Sequence, residues 1–164
     1  MRLSIRDAEL HDLDQILDLI MQLAIQEGLP NEVKITKQEL SEALFNADPK
    51  VFVTVIDHPN KADELAAFAL YWIDFPTWLG KHGLYIEDIC VTSELRGQGI
   101  GGVLMSYLAQ ICVARGYARL AWWVKDDNKS AIKFYGSSGA EIMDDFTVRH
   151  LTGNELKELA SRNL

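Results

Sequence analysis

Apolar positions along this chain fall into two rhythms, one of period two and one near period 3.6. Residues 2–6 alternate apolar and polar, which predicts a first β-strand. After Asp12, a residue suited to capping a helix, Leu13, Ile16, Leu17, Ile20, Leu23 and Ala24 recur at helical spacing until Gly28 and Pro30. Thr36-Lys-Gln-Glu39 is a capping box and predicts a second helix through Phe45, with Leu40, Ala43 and Leu44 on its apolar face. Residues 51–56 and 65–73 are rich in strand formers and are separated by the turn signal His58-Pro-Asn-Lys61. An irregular aromatic stretch, 74–83, then leads into a further strand from Leu84.

That strand breaks into a loop holding Arg96, Gly97, Gln98, Gly99, Gly101 and Gly102, and an amphipathic segment follows from Val103 to near Gly116. Residues 120–124 read as a strand and 129–135 as a short helix behind Asp126-Asp-Asn128, ending at Gly136. Residues 146–151 read as a last strand, and Thr152-Gly-Asn-Glu155 as a capping box for a C-terminal helix. The order β-α-α-β-β-β-α-β-α-β, followed by that helix, predicts a mixed α/β sandwich around one sheet. With 164 residues and no repeat, low-complexity tract or linker, the expectation is a single domain over 1–164.

Composition narrows the partners. Hydrophobic residues make up 48%, as in ordinary globular chains, and no apolar run approaches the ~20 residues of a bilayer span. The first residues lack the apolar core of a signal peptide, so a cytoplasmic protein is expected. Sixteen basic against 24 acidic residues leave a charge of −8, which disfavours nucleic acid and anionic membranes and favours a small cationic partner. Cys90 and Cys112 sit in apolar contexts without metal-ligand spacing, and the four histidines are scattered. Buried reduced thiols and no metal are expected.

Three stretches could carry chemistry. In the glycine loop, strand, turn and helix follow one another without pause, so backbone N–H groups and the positive end of a helix can cradle a phosphate, with Arg96 beside them. No Lys-Ser/Thr pair follows as in a Walker loop, and no βαβ repeat surrounds it as in a dinucleotide fold. Glu87 and Asp88 are adjacent acids in an otherwise apolar strand. Regular alternation would send them to opposite faces, whereas a bulge would leave backbone groups open to a ligand. Either they pair with an arginine such as Arg119 or Arg149, or they serve as a base or cation site in a cleft. Third, Asn128 is a plausible N-cap for a helix whose Tyr135, taken alone, is an ordinary core aromatic. Trp78, in the loop before the strand, could hold a cationic chain by cation–π contact.

Taken together, Val91, Arg96-Gly-Gln-Gly-Ile-Gly101 and Asn128-x-x-Ala-x-x-Phe-Tyr135-x-x-x-Gly139 resemble the GNAT superfamily of acyl-CoA-dependent N-acetyltransferases. Leu23-Ala-x-x-Glu27, Trp78-Leu-Gly-Lys81 and Leu84-Tyr-Ile-Glu-Asp88 resemble its diamine and polyamine acetyltransferase branch. The resemblance implies a central, mostly antiparallel mixed sheet flanked by helices and splayed at the fourth strand. It implies acetyl-CoA as co-substrate, its pyrophosphate held by Arg96, Gly97, Gln98, Gly99, Ile100, Gly101 and Gly102. Its pantetheine arm would pair with the backbone of Ile89 and Val91, flanked by Asn128 and Ser130. Catalysis would fall to Glu87, acting as base through water, and to Tyr135, acting as acid toward the thiolate. Glu27, Trp78, Glu87 and Asp88 would bind the amine. In one departure, Phe75-Pro-Thr stands where polyamine-specific relatives carry an acid just before the tryptophan, with Asp74 further back. That departure widens the expected acceptor toward smaller amines such as thialysine. The branch also implies a homodimer. Competing readings are the same chemistry on an aminoglycoside or a protein amino terminus, and a non-catalytic acyl-CoA sensor on the same fold.

Overall fold

The computed structural model describes residues 3–162, so Arg2, at the start of the first expected strand, lies outside the described residues. The chain divides into two compact units, residues 1–123 and 124–164.

The first unit holds strands β1 (Ile5–Asp7), β2 (Val51–Asp57), β3 (Leu65–Asp74), β4 (Gly83–Val91) and β5 (Leu120–Trp122) in one sheet of order β1-β2-β3-β4-β5. The first four are antiparallel to their neighbours, and β4 and β5 run parallel. That parallel pair needs a crossover, which helix α3 (Ile100–Ala114) supplies. This is the expected mixed, mostly antiparallel sheet.

Helices α1 (Leu13–Gln26) and α2 (Lys37–Phe45) cover one face. Leu13, Ile16, Leu19, Leu40 and Leu44 pack there against Val53, Val55, Phe68, Leu70 and Cys90. Register places Thr54, Ile56, Tyr71, Leu84 and Ile86 on the opposite face, the side of α3. Ile100, Leu104, Met105, Leu108 and Cys112 are the buried stripe of that helix. No described helix is long and apolar enough to cross a membrane.

Local signals explain most boundaries. Thr36 and Glu39 form the reciprocal capping box that opens α2. Asp12 stands at the N-cap of α1 but its side chain makes no cap there. Its carboxylate, 1% exposed, instead accepts Arg6 Nη1 and Nη2 at 2.7 and 2.9 Å and the Glu9 N–H at 2.8 Å.

In the second unit, α4 (Lys129–Ser137) opens on Asn128, whose Oδ1 accepts the Ala131 N–H at 3.1 Å, and runs one residue past Gly136. Helix α5 (Gly153–Ala160) forms as expected, but Thr152 makes no side-chain cap and the expected box is not formed. Residues 146–151 are not a strand. Phe146, Val148 and Leu151 have the residue types of one, yet all three side chains are exposed and no ladder takes up the backbone groups. Strand propensity without a paired neighbour and a buried face does not make a strand.

Candidate active site

The adjacent acids of this site are placed by one irregularity in β4. Tyr85 pairs with Trp72 and Ile86 with Tyr71, but the next partner, Leu70, takes Asp88. Glu87 is therefore an extra residue, a β-bulge in the middle of the strand. Leu84 and Ile86 lie on the α3 face, while Asp88 and Cys90 lie on the α1 face with Leu70 and Phe68.

The bulge also sets which backbone groups look outward. The Thr92 N–H donates to Ala66 O at 2.9 Å, so Thr92, and by alternation Cys90 and Asp88, turn their backbone polar groups toward β3. Ile89 and Val91 then turn theirs to the other edge. On that edge β5 pairs only with Leu84, Tyr85 and Ile86, while β4 runs on to Val91. The β4–β5 ladder ends there, and Ile89 and Val91 lie beyond it. Val91 O is already taken by Arg96 Nε at 2.9 Å, so Arg96 spends one donor on the strand.

Glu87 is exposed and Asp88 half-buried. Burial pushes both carboxyls up, and for Asp88 burial together with the negative charges of Glu87 and Glu27 brings it to about 6. Glu27 sits at the C-terminal end of α1, so the fold gathers three of the expected acids into one field. Neither Glu87 nor Asp88 is in an ion pair among the described residues. Arg119, one of the arginines considered for them, binds Asp74 instead, across Gly83. A Cβ on Gly83 would crowd the Asp74 carboxylate and the Arg119 side chain, so a larger residue there would displace that ion pair.

Tyr85 was not foreseen as part of the site. Its ring lies 4.4 Å from Trp72 in a stack and 5.6 Å from Trp123 edge-on, and its hydroxyl is buried with no hydrogen-bond partner among the described residues. Burial and then the charge of Glu87 push that phenol up. The only sequence signal was its place two residues before Glu87. Trp78 lies in the turn after β3, 92% exposed, and no hydrogen bond, ring contact or ion pair joins it to the acids among the described residues.

Beyond a 3-10 turn at Ser93–Leu95, the loop reaches α3 earlier than expected, so Ile100, Gly101 and Gly102 form the first helical turn. The first intrahelical bond runs from the Val103 N–H to Gly99 O at 3.1 Å. The N–H groups of Ile100, Gly101 and Gly102 thus have no acceptor in the helix and lie at its positive end. Gly97 (φ 73°) and Gly99 (φ 84°) have open space where a Cβ would stand, so backbone conformation, not room, selects glycine. These donors fit an anionic diphosphate, and the edge of Ile89 and Val91 fits an extended amide chain.

In the second unit, Ser130 is exposed in the first turn of α4. Tyr135 is half-buried with its ring 5.1 Å from Phe134.

Comparison with known proteins agrees with this geometry. Residues 13–140 match the acetyltransferase (GNAT) family. The thialysine N-epsilon-acetyltransferase of Bos taurus is 32% identical, over 96% of this chain and 97% of its own. The spermidine/spermine N(1)-acetyltransferase-like protein 1 of Homo sapiens is 31% identical over 83% of this chain, which is 20% of that longer protein. An integron cassette protein from the mobile metagenome of V. cholerae superposes with a TM-score of 0.79 at 28% identity, over 99% of each chain. A fourth strand that runs on past its parallel partner, a helix start suited to an anion and these likenesses lead to one conclusion: the chain belongs to the GNAT acetyltransferase family and is an N-acetyltransferase, with acetyl-CoA as the family's acetyl donor.

Proposed function

We propose that this enzyme acetylates a small cationic amine: a diamine, a polyamine or a thialysine-like side-chain amine. The observation that carries the reading is the field of Glu27, Glu87 and Asp88, three carboxylates gathered where β4 leaves its neighbour, two of them pushed up and lacking an internal cation. A cationic substrate completes such a field. The likeness to the thialysine and spermidine/spermine relatives supports the same class.

Acetyl-CoA supplies an activated thioester. Arg96 and the loop from Gly97 to Gly102 hold its diphosphate, Ile89 and Val91 pair with its amide arm, and Asn128 and Ser130 flank it. Asp88, Glu27 and Trp78 hold the distal positive charge of the amine. An alkylammonium titrates near ~10.4, so it must lose a proton before its nitrogen can attack. Glu87 takes that proton through water, and its raised carboxyl is the better base for it. As the new C–N bond forms and the C–S bond breaks, Tyr135 delivers a proton to the departing sulfur. The family match runs from residue 13 to residue 140, which supports treating 1–164 as one functional domain. The reading extends to a cytoplasmic homodimer, as the resemblance implies.

A CoA-release assay over diamines, polyamines, thialysine, lysine and aminoglycosides tests the proposal. We expect turnover on a small polycationic amine, with kcat reduced about 100-fold in Tyr135→Phe and in Glu87→Gln. Turnover on aminoglycosides alone would replace the acceptor. Tight acetyl-CoA binding without turnover on any amine would indicate a sensor.

A further inference from the structure

The donor loop is tied to the neighbouring β2–β3 turn through one buried histidine. His58 opens the β2–β3 turn, where its N–H donates to Glu64 O at 2.7 Å, and its side chain is 4% exposed. The Asn60 N–H donates to His58 Nδ1 at 3.2 Å, so the neutral ring carries its proton on Nε2. Nε2 in turn lies 2.9 Å from Glu94 Oε1. Glu94 belongs to the 3-10 turn immediately before Arg96, and its carbonyl accepts Gln98 Nε2 at 3.1 Å inside the glycine loop. On the other side the turn is gripped by α1: Gln15 donates to Asp63 O at 2.9 Å and accepts the Leu65 N–H at 2.8 Å.

We propose that His58 is a positioning residue for acetyl-CoA, holding Glu94 so that the loop from 94 to 99 presents its N–H groups in place. The proposal rests on the reading that this loop binds the donor. Gly97 and Gly99 give the loop more freedom than any other residue type would, so order must come from its flanks. Leu95 is buried and Arg96 is bonded to Val91 O, which fixes the middle. Glu94 is the remaining anchor. Its second partner, Lys61 Nζ at 2.8 Å, forms an exposed pair and holds little by itself.

Steady-state kinetics on His58→Ala and His58→Gln test this. Losing a hydrogen bond to a carboxylate is expected to raise KM for acetyl-CoA about tenfold in His58→Ala. Both kcat and the amine KM should stay within about twofold. Gln presents an N–H at the reach of Nε2 and should bring KM back to within about threefold of the parent. Glu94→Ala cuts the same link from the exposed side and should raise the same KM if His58→Ala does not fold. Hydrogen exchange on the unmodified enzyme tests the underlying reading separately, since acetyl-CoA should protect the amides of 97–102. Absence of that protection would overturn the donor-loop reading. Protection with an unchanged acetyl-CoA KM in the variants, or with all kinetic constants falling in parallel, would overturn the role of His58 alone.

Discussion

Two groups of carboxylates in the first unit have opposite fates. Asp12 and Asp57 share Arg6, which bonds Asp12 in a fork and Asp57 through Nε at 3.0 Å. Burial opposes the charge of Asp12, but the Arg6 fork and the Glu9 N–H outweigh it and hold its carboxyl below the usual range. Asp88, with Glu87 and Glu27 beside it and no arginine, is pushed up to about 6. Burial alone therefore does not decide what a carboxylate is for. Where the fold supplies the countercharge, the group closes a structural joint between β1, the turn before α1, and β2. Where the fold withholds it, the carboxyl is pushed up and has no ion pair among the described residues.

The contrast breaks most visibly at Arg6. Arg6→Ala leaves Asp12 a buried charge without its partner, and should cost about 3–5 kcal/mol of stability, read by urea unfolding. The folded fraction should keep its kcat within about twofold. A loss below about 1 kcal/mol would show that the pair is not a structural joint.

Asp88→Asn should do the reverse. The folded carboxyl titrates near 6 against ~3.9 in an unfolded chain. Between those values the folded state holds the extra proton, so stability falls as pH rises through the window. At pH 7 the full penalty is present, and Asn should relieve about 2 kcal/mol of it, a gain of about 4–8 °C in Tm. The gain should shrink as the melt is repeated from pH 6 down toward 4, and the rise in amine KM, largest at pH 7 and above, should shrink over the same range. A variant less stable than the parent at pH 7 would mean that Asp88 has a countercharge after all.

The smallest expected effect is at Glu27, which contributes to the shared field without being buried deeply. Glu27→Gln should raise the amine KM about threefold at low ionic strength, and less in 0.5 M salt, with kcat unchanged. Equal effects at both salt concentrations would point to a direct bond in place of a field.

The helices were legible because their signals are local. The Thr36–Glu39 box, the Asn128 cap and the stop at Gly28 each concern groups a few residues apart, and each lies where it was expected. Errors came where another group competes for the same atoms or where the partner is distant in sequence, though the Thr152 box, a local signal, also failed to form. Residues 146–151 have strand composition, but pairing is decided by another segment. Asp12 suits a cap, yet Arg6 and Glu9 claim its carboxylate. Register belongs to two strands at once, so the bulge could be named as a possibility and not located. The bond from His58 to Glu94 spans 36 positions and left no mark in spacing or composition.

Glu87 itself has a consequence for how such a site can arise. With that residue set aside, β4 alternates without a break: Leu84, Ile86, Ile89 and Val91 on one face, Tyr85, Asp88 and Cys90 on the other. The acid is thus an insertion between two halves already in phase, not a replacement of a core residue. A single codon could enter or leave at this point without re-phasing either half of the strand. The sheet takes up the extra acid as one local kink, and the packed positions on either side keep their faces.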